Sequence, residues 1–219
     1  MSITSILEGS RRPDSKITGV VVGVVIDNKD PDKLARVKVK IPRLGEDEES
    51  NWARVVSFMA GKERGAFFLP EVDDEVLVAF EYGDINSPFV VGSLWNGKEK
   101  PPLANDDGKN NFRIIKSRSG HIIRLDDSDG KEKIEIVDKS EKNQIIIDTA
   151  SNMISIQSEQ DIKISAKGKV SIEANDIEMK SNASTKVEAS SSMELKANGS
   201  IDVKASGTTT IKGATVNIN

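Results

Sequence analysis

The sequence has no cysteine and a single histidine, His121, among its 219 residues. Without cysteine the chain can form neither a disulfide framework nor a cysteine metal site. No apolar run approaches the length of a membrane-spanning helix, and the first 16 residues lack the basic-then-apolar pattern of a signal peptide. We therefore expect synthesis in the cytoplasm without a signal peptide.

Aromatic residues and proline are missing from the chain after Phe112. All nine aromatic residues lie between Trp52 and Phe112, and all seven prolines lie at or before Pro102. A globular core needs large side chains to fill its volume, whereas a narrow fibre core cannot hold them. The composition therefore predicts a globular domain and then a fibre, joined by a Pro-, Asn-, Gly- and Lys-rich connector near residues 98–112.

The charge disfavours a nucleic-acid partner, since the formal net charge is −4 and the pI is about 5.3. Basic residues do alternate along one predicted strand, at Arg36, Lys38, Lys40 and Arg43. Acidic residues flank that strand, and we expect the aromatic residues to fill the core rather than to stack on bases.

The last third of the chain carries a short repeat. Two apolar or β-branched residues separated by one polar residue return every eight positions, with two steps of seven. Each unit is typical of a very short strand with one apolar face, and the Ala, Ser, Asn and Gly between units suit turns. The predicted core positions are Ile154, Ile156, Ile162, Ile164, Val170, Ile172, Ile177, Met179, Val187, Met193, Leu195, Ile201, Val203, Ile211, Val216 and Ile218.

One strand of this size buries too little to stand alone, so the repeat points to several chains. Three copies wound around one axis would turn every apolar pair inward and close the sheet edges. A disordered linker is disfavoured by the regular pairs, a single-chain β-helix by its need for longer rungs, and a coiled coil by the spacing. We predict an intertwined homotrimeric β-helix with the form of a triangular β-prism.

The region before the connector reads as all-β. A Val/Ile run at residues 17–27 and an alternating segment at residues 35–42 predict a hairpin. A third strand at residues 52–60, a turn at Lys62–Gly65, a long strand over Glu75–Tyr82 and a last strand at residues 85–96 follow. Five or six curved strands with glycine bends suit a small OB-type barrel.

The run FLPEVDDEVLVAFEYGDINSPFVVGSLWN resembles the OB domain of phage baseplate spike proteins, which include the baseplate assembly protein V family and the VgrG proteins of type VI secretion. The segment IIKSRSGHIIRLDDSDGKEKIEIVD resembles the start of that family's β-helix, where a Ser-Gly-His turn and an Asp-Gly hairpin separate strands. The OB positions that match are Pro70, Gly83, Asp84, Pro88, Gly92 and Trp95.

The resemblance implies four parts: an N-terminal extension that contacts a hub (1–16), an OB-fold barrel (17–98), a connector (99–112) and a trimeric β-helix shaft (113–219). It implies a structural central spike of a contractile injection system or phage-tail-like baseplate. Such a spike is assembled into the particle, docks to a separate hub protein, punctures the target membrane and carries a conical tip protein at its C-terminal end. The chain departs from the VgrG pattern by having no hub-like region before the OB domain.

Nothing in the sequence predicts an enzyme, a cofactor or a metal. His121 lies in a turn without partners at ligand spacing, and Asp126, Asp127 and Asp129 lack the later ligands of a calcium loop. The acidic run from Glu46 to Glu49 reads as a solvated loop or a hub contact. Three alternatives remain at this point: a trimeric adhesin or receptor-binding fibre, an OB-type binding module with a disordered tail, and a piece of a longer VgrG-like protein.

Overall fold

The computed structural model describes residues 16–45 and 49–218. The chain divides into two units, Met1–Ile162 and Lys163–Asn219, and each is described by itself. Two sequence predictions fall wholly or mainly outside the described residues. They are the hub contact of residues 1–16, of which only Lys16 is described, and the role of the acidic loop at residues 46–48.

The first sheet curls into a half-barrel around a small core. Its strands are β1 (Val20–Asp27), β2 (Lys38–Lys40), β3 (Arg54–Val55), β6 (Glu75–Phe80) and β7 (Pro88–Ser93). They lie in the order β2-β1-β6-β7-β3, and all neighbours are antiparallel except β3 and β7. A separate two-stranded hairpin joins β4 (Ala60–Gly61) to β5 (Arg64–Gly65).

The main strand predictions in this part are confirmed. β1 and β2 form the predicted hairpin, with Val25 opposite Val39. The long apolar strand is β6, and its inward residues Val76, Val78 and Phe80 alternate with less buried ones. This alternation is what a strand with one buried face requires.

The composition of the core differs from the prediction. Eight of its nine buried hydrophobic residues are aliphatic, and six of those are valine; Phe80 is the only aromatic one. The expectation that the aromatic residues fill the barrel is therefore wrong. The physical reason is size, because the concave side of a small, strongly curled sheet is filled by short β-branched side chains, which leaves the larger rings outside.

The second sheet is an antiparallel meander. Its strands are β8 (Phe112–Lys116), β9 (Ile122–Asp126), β10 (Lys133–Val137), β11 (Gln144–Asp148) and β12 (Met153–Gln157), paired in chain order. The predicted Ser-Gly-His and Asp-Gly turns are confirmed, with left-handed φ of +102° at Gly120 and +70° at Gly130. Residues 112–157 thus form hairpins rather than eight-residue rungs.

The second unit contains no hydrogen-bonded strand within residues 163–218, and every residue of this range is exposed in the single chain. No residue in it has a left-handed φ. Across the described residues the chain has no α-helix, which confirms the all-β class. The one helical turn described, Glu81–Gly83, is too short to cross a membrane.

Candidate assembly interface

One face of the meander consists almost wholly of aliphatic side chains. The pairing register aligns them in two rows, of which the first crosses all five strands and the second crosses β9 to β12, with Arg113 at its position on β8. The first row is Ile115, Ile123, Ile136, Ile145 and Ile156, and the second row is Leu125, Ile134, Ile147 and Ile154. We call these nine residues the apolar face.

Nothing in the described chain covers the apolar face. Its side chains are between 41% and 70% exposed. A soluble monomer rarely exposes a contiguous apolar patch of more than a few hundred Å², and a larger patch marks an interaction site. The neighbouring side chains of each row contact one another across the strands but leave their outer surfaces free. The apolar face therefore has the properties of an interface.

The opposite face of the meander is mixed, and its central carboxylate is compensated within the chain. Four half-buried aliphatic residues share this face with charged and amide side chains: Ile114, Ile122, Val137 and Ile146. Glu135 is almost fully buried there and accepts hydrogen bonds from Arg124, whose Nε lies 2.5 Å away; the Nζ of Lys133 lies 3.0 Å from the other carboxylate oxygen. The Arg124 guanidinium also lies 5.8 Å from the centroid of the Phe112 ring. A buried carboxylate with two cations is compensated, so Glu135 needs no further partner.

Side chains lock the turns at one end of the meander. The Asp138 carboxylate accepts hydrogen bonds from the Ser140 hydroxyl at 2.7 Å and the Asn143 amide at 3.0 Å, and these bonds lower the pKa of Asp138 to about 2. His121 Nδ1 accepts the Lys139 backbone N–H at 3.3 Å. These contacts give the only imidazole a structural partner within the turn region.

The tail pairs are exposed, but unequally. From Val170 to Ile218, the first apolar member of a pair is 47–58% exposed and the second is 66–85% exposed. The first member is thus partly shielded by its own chain, whereas the second stands nearly free in solvent. All the predicted core positions from Ile154 onward are exposed large hydrophobics, and the structure brings none of them into a core within one chain.

Two of the OB positions shape the turn between β6 and β7. Gly83 is buried with a φ of +80°, and a Cβ there would lie 3.2 Å from the carbonyl oxygen of Ile17. Asp84 Oδ1 accepts the backbone N–H of Asn86 at 3.0 Å. Hydrogen bonds from the Asn86 backbone and side chain lower the pKa of Asp84. Both residues therefore serve local backbone geometry.

The other four OB positions are placed differently from one another. Pro70 and Pro88 are buried, and the carbonyl of Pro70 accepts a hydrogen bond from Asn28 Nδ2 at 3.1 Å. Gly92 lies on β7 at a bulge, with open space where a Cβ would point. Trp95 is 70% exposed. The set is therefore a group of separate structural positions rather than one site.

Sequence reasoning missed an exposed aromatic group at the β4–β5 hairpin. Phe58, Phe67 and Phe68 are 87%, 75% and 64% exposed and flank this hairpin, together with Met59. We call these four residues the aromatic hairpin base. Its signal in the sequence is the pair Phe67-Phe68 beside the turn at Lys62–Gly65, which the general expectation of aromatic residues in the core passes over.

The described residues give no sign of metal or nucleic-acid chemistry. No group of three or more His, Asp or Glu side chains in the described part of the chain could hold a metal ion. The Arg36 guanidinium lies 2.7 Å from Asp30 and 2.5 Å from Asp32. Its hydrogen bond to the Asp30 carboxylate lowers the pKa of Asp30. Lys38 lies 3.5 Å from Glu49. Two of the four basic residues on the predicted strand are therefore paired with carboxylates.

Comparison with known proteins identifies the first domain. The family described as the type VI secretion system/phage-baseplate injector OB domain matches residues 21–95. This range covers the half-barrel from the second residue of β1 to the end of β7 and contains all six OB positions. The match thus rests on the part of the chain that has the buried core.

Three type VI secretion system spike proteins of Pseudomonas aeruginosa are similar. VgrG5 is 34% identical over 126 residues, which are 53% of this chain and 16% of that protein. VgrG4b is 28% identical over 165 residues (72% and 19%), and VgrG1a is 30% identical over 138 residues (58% and 21%). The chain thus spans at most about a fifth of these relatives. Residues 21–95 thus match the injector OB domain of type VI secretion and phage-baseplate proteins, and the chain is similar to VgrG spike proteins over part of its length.

Proposed function

We propose that this chain is the structural central spike of a contractile injection system or phage-tail-like baseplate, and that it works as a homotrimer. One observation carries the proposal. An injector OB domain is followed by about a hundred residues whose apolar side chains are regularly spaced and nearly all exposed in the single chain. Such a chain has to bury these side chains against other copies of itself.

The number of copies follows from the shape of the repeat. A strand with two apolar residues can enclose a core only when further strands close around it, and three strands per level form the smallest closed prism. The apolar face of the meander, which begins at Ile115, also needs other copies of the chain to bury its side chains. We infer that the meander and the tail are both parts of one trimeric shaft, whose core includes the sixteen predicted positions and the apolar face.

The OB domain is the part of the chain that we propose binds a separate hub protein. The aromatic hairpin base offers a compact apolar surface on this domain, and Lys62 and Arg64 lie on the hairpin itself. Aromatic residues with a nearby arginine are the usual anchors of protein interfaces. We propose that the aromatic hairpin base, together with the N-terminal extension, binds the hub.

Puncture of the target envelope requires stiffness rather than catalysis. In a closed trimer the backbone hydrogen bonds would run between chains, so the shaft would fail only when many of them broke together. Residues 158–219 hold eight lysines and eight acidic residues, so the surface is charged but close to neutral. Such a surface stays soluble without strong attraction to lipid head groups. The C-terminal end would carry the tip protein.

The role can be tested in the cells that make the particle. A gene that ends after Gln160 would keep the OB domain and the meander but lose the tail. We expect assembled particles to incorporate this shortened chain less well and to lose their effect on target cells. The matched control is Ile201→Val, which keeps the apolar pair. Particles that act normally with the shortened chain would contradict the proposed role of the tail as a piercing shaft.

A further inference from the structure

The outward residues of the tail follow a pattern of their own. In each eight-residue unit, one polar residue lies between the two apolar residues and another follows them; we call these the middle and trailing positions. Since side chains alternate along a strand, both positions face away from the apolar side. From Ile177 to Leu195 the units follow one another at steps of eight, so equal positions lie above one another when the units stack.

The signs of the charges at these positions alternate from unit to unit. The middle positions are Glu178, Lys186 and Glu194 in three successive units. The trailing positions of the same units are Lys180, Glu188 and Lys196. Each charge therefore has the opposite sign to its neighbour in its own unit and to its counterpart in the next. We call these six residues the charge ladder.

Within one chain the charge ladder is only partly used. Lys186 Nζ lies 2.6 Å from Glu188 Oε1, and both side chains are more than 70% exposed. This contact joins the two positions of one unit. The sides of these groups that would meet the next unit remain open to solvent, as they do at the other ladder residues, all of which are exposed. In the single chain, therefore, the opposite charges of successive units do not pair with each other.

Two ways of laying neighbouring copies side by side differ in what these charges meet. If each unit lay flush beside the same unit of its neighbour, Glu178 would face Glu178 and Lys186 would face Lys186. If the copies are offset by one unit, Glu178 faces Lys186 and Lys180 faces Glu188. Opposite charges directly across a strand pair stabilise it and like charges destabilise it. An offset of one unit is also what winding around a common axis requires, because each chain passes to the next face at every unit.

We propose that the charge ladder sets the register between copies of this chain at an offset of one eight-residue unit. The ladder favours the wound trimer over a flush parallel stack of the same strands. The flush parallel stack is the geometry of cross-β aggregates. The proposal rests on the trimeric shaft proposed above and adds the residues that define its register. The apolar pairs cannot supply this information, because nearly identical pairs recur in every unit.

The ladder ends where the alternation ends. Asp202 and Lys204 repeat the order of Glu194 and Lys196 instead of reversing it. In the single chain the two groups of this unit lie 3.9 Å apart, a looser contact than that of Lys186 and Glu188. The ladder therefore specifies the register in the middle of the tail. The later units take the same register because they continue the same chains.

Cysteine pairs give a direct test, because the natural chain has no cysteine that could interfere. In the proposed register, mild oxidation of the double variant E178C/K186C should link all three chains into one covalent trimer in denaturing gels. The single variant K186C should stay uncrosslinked, since its three copies lie on different faces of the prism. Covalent dimers from K186C alone, or double-variant chains that oxidise without linking to one another, would overturn the proposed register.

A charge exchange tests whether the ladder itself selects the register. The variant K186E/E188K keeps composition and net charge. It puts glutamate at all three middle positions and lysine at all three trailing positions, so each charge meets a like charge in the next unit. We expect its trimer to dissociate in SDS at a temperature at least several degrees lower than the natural chain. Adding E178K/K180E/E194K/K196E restores the alternation and should restore the resistance. Equal resistance in all three proteins would overturn the ladder while leaving the trimer intact, whereas a monomeric natural chain would overturn the trimer itself.

Discussion

Ile123 and Ile136 lie directly opposite each other in the β9–β10 pair, and each leaves nearly half of its side chain exposed. Their register places them in the middle of the apolar face. Because the single chain gains little from either side chain, a substitution here should affect assembly far more than the fold of one chain.

The first expectation concerns the apolar face itself. Ile136→Gln should weaken the trimer by about 1–2 kcal/mol per chain, because full burial of an aliphatic side chain contributes about 1.5–3 kcal/mol and about half of Ile136 is exposed before assembly. Met153→Gln is a matched control, because Met153 is similarly exposed, at 52% against 49%, but lies on the opposite face of the meander. Sedimentation velocity over a dilution series measures the effect. Equal weakening by both substitutions would mean that the apolar face is not the interface.

The aromatic hairpin base should matter for docking but not for trimer formation. Phe58→Ser with Phe67→Ser removes two highly exposed rings from the OB domain without touching its valine core. We expect purified particles to contain several-fold less of this variant, measured by immunoblot of pelleted particles, while its mass in solution stays unchanged. Tyr82→Ser, which removes an equally exposed ring at another turn, is the control. Normal incorporation of the double variant would exclude this surface as the docking site.

Gly83 should be far more sensitive to substitution than Gly92, which lies in the same OB domain. Its left-handed φ and the close approach of the Ile17 carbonyl make Gly83→Ala costly, by about 1 kcal/mol or more. Gly92→Ala should be nearly neutral, because a Cβ there meets open space. Urea unfolding followed by tryptophan fluorescence reports on this domain, since both tryptophans belong to it. An unchanged midpoint for Gly83→Ala would contradict the inferred strain.

Acid should loosen the turn between β10 and β11 within a defined range. The pKa of Asp138 is lowered to about 2 by hydrogen bonds from Ser140 and Asn143, from an unfolded value near 3.8. The stabilising effect of its charge is therefore fully present above pH 4 and is lost as the pH falls towards 2. Asp138→Asn should lose this part of the pH dependence, measured as amide exchange at the turn from pH 2 to 5. An unchanged profile would contradict the role of the carboxylate.

The sequence was sufficient to predict the main strands of the first domain and two turns of the meander because their signals are local. The β1–β2 hairpin and the strand β6 follow from alternation, and the Gly120 and Gly130 turns follow from residues that tolerate a left-handed φ. The aromatic residues were misplaced because composition does not reveal which side of a curled sheet is concave. Phe67 and Phe68 therefore lie outside a core that valine fills.

The meander was harder to predict because its alternation resembles that of the tail. Ile145 and Ile147 form the same two-apolar pattern as Ile154 and Ile156, yet all four lie in adjacent antiparallel strands. A period of two predicts strands and their apolar side, but the partner of a strand is set by the length of the loops between them. For the tail, the proposed partner lies on another chain, which the pattern of one chain does not specify.

The most direct test of the account is the mass of the full chain in solution, measured by light scattering with and without SDS at room temperature. The account predicts a particle of three times the 23.8 kDa chain that stays intact in the detergent, because closed sheet edges and a shared apolar core resist dissociation. A mass of one chain in buffer would contradict it, since the exposed apolar residues from Ile115 to Ile218 would then have no partner.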